Sequence, residues 1–385
     1  MVGSLLSFLL VTPTIAASLD DGYPKDQPAP GRTCPNTAVG GSTVSQFNGK
    51  TFVCTLINGE KKWWIKGEPL PTKADAPAAP KPPEIKYTPK YKLPASAKSK
   101  MTIFENVTYA TKSPIQHLDI YMPKGAVKPP LMVWTHGGGF IMGDDDFMKY
   151  DESAKLLQEF IKNGVAVASI NYRLSQVAPY PAAGVDAKSA IRFLRANAAK
   201  YGYDSNKFAT GGDSAGSYLA LASAITGDQP SPFDDATDPN KSTSAAVSTV
   251  VDLFGNVDFF EMTANNTKYP CDQSKNPFPV ADTKMHPWFG DTTDAKVKAS
   301  MTEAGLYPYL KSSKAIPTFY IFHGADDCSV SPYDSKNLDK AVKALNGKST
   351  LTIVPGAIHG GAGVWTAVMK AVPAIKKSMV SSSTR

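Results

Sequence analysis

The run Gly212-Asp213-Ser214-Ala215-Gly216, set between an apolar strand candidate and an apolar helix candidate, constrains what this chain can fold into more than any other feature. The pattern is G-x-S-x-G, and the turn it implies is so sharp that a Cβ at either glycine would collide with neighbouring backbone. Such a turn lifts the Ser214 hydroxyl out at the edge of a sheet, and the helix N-terminus behind it favours negative charge. Taken alone, the pentapeptide could also be a glycine-rich loop without chemistry. It does not stand alone.

Upstream, His136-Gly137-Gly138-Gly139-Phe140 follows the strand candidate Leu131 to Thr135. Successive glycines let backbone approach a substrate closely and aim N–H groups at a developing oxyanion. Gly138 and Gly139, with the amide of Ala215, are the expected donors, and His136 reads as a residue that orients the loop. Further apolar runs at Val165–Ile170, Lys207–Thr210, Val247–Phe254, Pro317–Phe322 and Ser349–Val354 predict buried strands. Helical periodicity predicts helices over Asp151–Asn163, Gly184–Lys200, Ala215–Thr226, Asp334–Leu345 and Gly363–Lys377, with Asp151 as N-cap and Gly164 as stop for the first. This alternation implies an α/β chain, a mostly parallel sheet with helices on both faces and reactive groups at the strands' carboxyl ends.

The N-terminal quarter reads differently. Residues 1–17 hold a short apolar core followed by small residues, the pattern of a secretory signal peptide, although its only positive charge is the terminal amine. Four cysteines fit an oxidising compartment, and no apolar run reaches the about 18 residues of a membrane span. Secretion is the expected localisation. Residues 30–70 predict a small β-rich module, with Asn58-Gly59 as a hairpin turn between two apolar runs. A disulfide between Cys34 and Cys54 would staple a unit too small to hold by burial alone. Trp63 and Trp64 could stack on sugar rings, but adjacent strand residues point to opposite faces, so one of them is more simply core. Residues 71–95 are rich in proline and read as a linker, and the large domain spans 100–385. The net charge of +7 is spread too thinly to point to nucleic acid.

His136-Gly-Gly-Gly-Phe140, Asn171-Tyr-Arg-Leu-Ser175, Ala178-Pro-Tyr-Pro-Ala182, Asp186, Ala190-Ile-Arg-Phe-Leu-Arg-Ala-Asn197 and the Ser214 pentapeptide together resemble α/β-hydrolase esterases with an HGGG loop. The resemblance runs from about residue 100 to the C-terminus and implies the α/β-hydrolase fold. The hormone-sensitive-lipase-like branch usually carries its acid in an Asp-Pro-Leu segment, which is absent here. His323-Gly-Ala-Asp-Asp-Cys-Ser-Val330 is instead similar to the branch of bifunctional acetyl xylan and feruloyl esterases, which also contains lipase-like carboxylesterases. In that pattern the acid lies four residues after the histidine, which selects Asp327 over its neighbour Asp326. One departure is Ser217, where both branches usually have glycine.

Of the histidines at 117, 136, 286, 323 and 359, only His359 lies in a loop after the last strand candidate, completing the order Ser, Asp, His. The segment from Gly255 to Ser312 is dense in aromatics, among them Phe259, Phe260, Trp288, Phe289, Tyr307 and Tyr309, and predicts a cap over the site. Cys271 and Cys328 could tie this cap to the acid loop or remain two buried thiols. The expected activity is hydrolysis of acetyl, feruloyl or other short or aromatic esters, small or polysaccharide-linked, through Ser214, His359 and Asp327, with no cofactor or metal. A broad lipase-like carboxylesterase, a serine peptidase and an inactive scaffold used for binding are the competing readings. The N-terminal module could add carbohydrate or cell-wall contact.

Overall fold

The structure, a computed structural model, describes residues 34, 41–44, 51–57, 60–67, 90–269, 271–272, 287–289 and 294–381. Residues 1–17, the Asn58-Gly59 turn, most of the 71–95 segment and His286 lie outside the described residues. The chain divides into two compact units, Met1–Pro83 and Glu84–Arg385.

In the first unit, β1 (Ser42–Val44), β2 (Thr51–Ile57) and β3 (Glu60–Ile65) pair antiparallel in the order β1-β2-β3. Phe52 and Cys54 are buried while Thr51, Val53 and Thr55 are half-exposed, the two-residue period of a strand with one covered face. Cys34 and Cys54 form a disulfide with Cα atoms 6.0 Å apart, and Trp63 lies opposite Cys54 in the β2–β3 register, half-buried.

The second unit is an α/β sheet layered between helices. Its strands are β4 (Met101–Thr108), β5 (His117–Pro123), β6 (Leu131–Thr135), β7 (Ala166–Ile170), β8 (Phe208–Asp213), β9 (Thr249–Leu253), β10 (Thr318–Gly324) and β11 (Ser349–Val354). They form one sheet in the order β11-β10-β9-β8-β6-β7-β5-β4. Every neighbouring pair from β7 to β11 is parallel, and β5 is antiparallel to both β7 and β4. The helices, in chain order, are α1 (Ala95–Lys98), α2 (Asp151–Lys162), α3 (Ala182–Ala196), α4 (Ala198–Tyr201), α5 (Ala215–Thr226), α6 (Phe259–Lys268), α7 (Asp294–Ala304), α8 (Tyr307–Ser312), α9 (Pro332–Ala344) and α10 (Ala362–Ser381).

Alternate residues along each central strand feed opposite cores. Leu131, Val133, Ala168 and Val250 pack with Ile191 of α3, Leu219 of α5 and Leu338 of α9. Met132, Trp134, Val167 and Val251 pack with Phe160 of α2 and Val368 of α10 on the other face. Burial on both faces explains why these strands read as continuous apolar runs. In α2, Ala154, Leu157, Phe160 and Ile161 are buried and Gly164 follows with φ 69°, but Tyr150 is the N-cap. Asp151 is the first helical residue, and its Oδ1 accepts the Tyr91 amide at 2.8 Å, which corrects the capping expectation.

This topology sets the site. The chain leaves β6 toward β7 on one side, whereas β8, paired with β6 on the other side, leads on to β9. Crevices at the carboxyl ends of strands open where connections diverge in this way. Thr135 and Gly212 face each other across that pair, so the HGGG loop and the Ser214 turn emerge side by side.

Candidate active site

Ser214 is the single residue between β8 and α5, with φ 52° and ψ −122°. A side chain held there costs on the order of 1–3 kcal/mol, so the surroundings must enforce it. They do so by close packing. A Cβ on Gly216 would strike the carbonyl oxygens of Thr135 and His136, and one on Gly212 would strike the Gly216 carbonyl. The Ser214 amide donates to the Leu253 carbonyl at 2.9 Å, and its own carbonyl accepts from Tyr218 at 3.2 Å, opening the helix.

The structure brings Ser214, His359 and Asp327 together. His359, on the loop between β11 and α10, has Nε2 3.0 Å from Ser214 Oγ and Nδ1 2.7 Å from Asp327 Oδ2. The edge of the Phe254 ring packs against its imidazole, with centroids 4.7 Å apart. Asp327 is buried on the loop between β10 and α9, and its Oδ1 accepts the amides of Ser329 at 2.8 Å and Val330 at 3.0 Å. Burial alone would raise its pKa, but His359, His323 and their hydrogen bonds outweigh that and hold the carboxyl well below the usual carboxylate range. Asp326 is exposed, with its amide donating to the Ala357 carbonyl at 2.9 Å.

The HGGG loop adopts backbone that few residues tolerate: φ is 110° at Gly138, 60° at Gly139 and 63° at Phe140. A Cβ on Gly138 would strike the Met142 carbonyl. Among the described residues, no backbone carbonyl accepts from the amides of Gly138, Gly139 or Ala215. His136 is fully buried, and burial pushes its pKa down to about 4, so it stays neutral. Its Nδ1 donates to the Gly137 carbonyl at 2.7 Å, and its ring stacks on Tyr172 with centroids 4.3 Å apart. Below the loop, burial raises the Asp213 carboxyl from 3.8 to about 7, with the neighbouring Trp134 and Gly137 N–H groups working against that shift.

The cap aromatics divide. Phe259, Trp288 and Phe289 are buried in the core, where Trp288 stacks on Phe140 at 4.2 Å between centroids and meets Tyr218 edge-on. Tyr307 donates to Glu261 at 2.7 Å, Tyr309 is half-buried, and Phe260 is exposed. Cys271 and Cys328 form a disulfide that joins the cap segment to the acid loop. A cleft of about 270 Å³ opens beside that loop, walled by Tyr269, Asp272, Asp326, Pro332 and Tyr333. Among the described residues, no group of three or more His, Cys, Asp or Glu side chains is placed to hold a metal ion.

A family model described as BD-FAE matches residues 118–342, more than half of the chain. The chain belongs to the BD-FAE family. This BD-FAE member is 24% identical over 251 residues to the esterase LipC of Mycobacterium tuberculosis, covering 64% of this chain and 57% of LipC. It is 35% identical over 106 residues to an acetyl esterase of Salmonella schwarzengrund, covering 28% of this chain and 31% of that protein. The chain thus spans just over half the length of one of these relatives and under a third of the other. Among solved structures, it is similar to a truncated carbohydrate esterase from gut microbiota, with TM-score 0.62 and 25% identity, covering 74% of this chain and all of that one. An acetyl ester-xyloside bifunctional hydrolase from Caldicellulosiruptor lactoaceticus shares the fold at TM-score 0.52 and 21% identity, covering 69% and 87%.

Sequence reasoning missed a second layer in this BD-FAE site. His323, which the sequence uses only to locate the acid four residues on, has Nε2 3.1 Å from the same Asp327 Oδ2 that faces His359. Asp252 is fully buried at the end of β9 and accepts from Ser217 Oγ and from the Gly255 amide at 2.9 Å. An Asp inside an otherwise apolar strand was the available signal, because buried carboxylates are rare unless partnered.

Proposed function

We propose that this chain is a secreted serine carboxylic-ester hydrolase. The observation that carries the reading is the hydrogen-bonded series Ser214 Oγ, His359 Nε2, His359 Nδ1 and Asp327 Oδ2, begun by a serine held at positive φ. Asp327 keeps the Nδ1 proton on His359, which leaves Nε2 free to take the Ser214 proton. Ser214 then attacks the ester carbonyl, and the amides of Gly138, Gly139 and Ala215 receive the oxyanion. His359 returns the proton to the departing alcohol, and water released of a proton by the same imidazole hydrolyses the acyl-enzyme.

The preferred substrates are acetyl, feruloyl or other short or aromatic esters, including those carried on polysaccharide. Family membership, the acetyl esterase relative and the carbohydrate esterase neighbour support this class. A broad carboxylesterase is the second reading, favoured by the burial of Phe259, Trp288 and Phe289, which removes these rings from a dedicated aryl pocket. Residues 1–17 act as signal peptide, 30–70 as a disulfide-stapled module on the 71–95 linker, and 100–385 as the catalytic domain. Two disulfides support an oxidising compartment, and no described helix is long and apolar enough to cross a membrane.

The test is kcat/KM on methyl ferulate and acetylated xylan beside p-nitrophenyl butyrate and palmitate. Turnover of the plant esters or of butyrate in clear excess over palmitate supports the reading. Preference for palmitate with neither plant substrate cleaved overturns the substrate class, and no cleavage of any ester overturns the activity.

A further inference from the structure

We infer that His323 is a positioning residue for the proposed ester hydrolysis, sharing Asp327 Oδ2 with His359 and so setting how the acid orients and charges the base. The inference rests on the catalytic reading above. It starts from a proton that geometry assigns. His323 Nε2 lies 3.0 Å from the Val330 carbonyl oxygen, which can only accept, so Nε2 carries a hydrogen. The same N–H faces Asp327 Oδ2 at 3.1 Å. The other ring nitrogen, Nδ1, lies 2.7 Å from Ser335 Oγ on α9. A hydroxyl donates to neutral Nδ1 and accepts from protonated Nδ1, so Ser335 serves both charge states and the Nε2 donor to Asp327 persists in each.

Asp327 is thereby enclosed. Its Oδ1 accepts the amides of Ser329 and Val330, its Oδ2 accepts from His359 Nδ1, and the His323 N–H that bonds the Val330 carbonyl lies beside the same Oδ2, with Nε2 at 3.1 Å. A carboxylate offers about four lone-pair sites, so the group has no second orientation with equal partners. His323 is itself fully buried at the end of β10, where it cannot swing away. The charged groups facing it come from three elements: Asp252 of β9, Asp334 of α9, and Asp327 with His359 beyond it on the acid side. Removing the His323 donor has two consequences. The Asp327 carboxylate gains rotational freedom, and more of its charge falls on His359, which makes that imidazole harder to deprotonate.

The variants are His323→Leu, which removes the donor, and His323→Gln, whose amide can restore a donor that does not titrate. Rates are taken per active site titrated with a fluorophosphonate, so loss of folded protein does not count. His323→Leu is expected to lower kcat/KM about tenfold or more. Its acid limb is expected to move up by about half to one pH unit, with His323→Gln returning both toward wild type. Wild-type rate and acid limb in His323→Leu, or no recovery in His323→Gln, overturn the inference. If His323→Leu does not fold, proton NMR of the downfield imidazole N–H signals decides, and it needs no turnover. The wild type should show one such signal from each histidine, that of His323 being the one His323→Gln erases, and the His323 signal should move in step with that of His359 as acid protonates the His359 imidazole. A His323 signal that stays in place through that transition overturns the inference even if the chain proves to be no esterase.

Discussion

Ser217 Oγ donates to Oδ1 of the buried Asp252, tying the first turn of α5 behind Ser214 to the end of β9. Glycine is usual at this place in the esterases that the sequence resembles, and the serine fits because Gly255 sits opposite. A Cβ on Gly255 would lie 2.7 Å from Ser217 Cβ, so the volume added at 217 is given up at 255. Ser217→Gly leaves the Asp252 carboxylate with one donor fewer in a site that water does not reach. It should destabilise the domain by about 1–3 kcal/mol in urea denaturation while leaving kcat per folded molecule near wild type. An unchanged denaturation midpoint would show that the hydrogen bond carries no net stability.

The acid assignment separates two adjacent aspartates. Asp327→Asn places an amide against His359 Nδ1 and favours the wrong imidazole tautomer, a loss of about 10⁴ in kcat where this has been dissected. Asp326 is exposed and its amide, not its side chain, makes the bond to Ala357, so Asp326→Asn should change little. Steady-state kinetics on a short p-nitrophenyl ester decides, and equal mild effects would place the acid elsewhere.

How far the sequence carries depends on what each residue answers to. The Ser214 turn and the parallel strands were legible because glycine at 212 and 216 answers to local backbone clashes and because strands buried on both faces are apolar throughout. The β4–β5 hairpin was not foreseen. β4 is half-exposed over much of its length, with a register break between Phe104 and Val107, so it shows no clean alternation. The fate of Trp288 was equally hidden, because an aromatic ring has the same composition in a lid as in a core, and only its stack on Phe140 assigns it. The surroundings of His323 were hidden because its neighbours Val330, Ser335 and Asp327 are gathered by a loop whose path the sequence does not state.

Asp213 gives a pH signature. Its carboxyl titrates near 3.8 in the unfolded chain and near 7 when folded, because burial disfavours the charge. Between those values the unfolded state binds fewer protons, so this group's stabilising contribution is complete below the unfolded value and is lost as pH rises through the folded one. Asp213→Asn cannot ionise and has nearly the same size and shape. Relative to wild type, its unfolding free energy should therefore improve steadily from about pH 4 to about pH 8. A difference that is flat across that range would mean that Asp213 is already charged throughout.

The central claim is that Ser214 is the nucleophile, activated by His359. Intact-mass analysis after exposure to a fluorophosphonate, run beside ester turnover for wild type and Ser214→Ala, tests it directly. Wild type should carry one adduct and Ser214→Ala none, with kcat lower by a factor on the order of 10⁶ in the variant and its thermal unfolding otherwise retained. Labelling or more than a small residue of turnover in folded Ser214→Ala would contradict it.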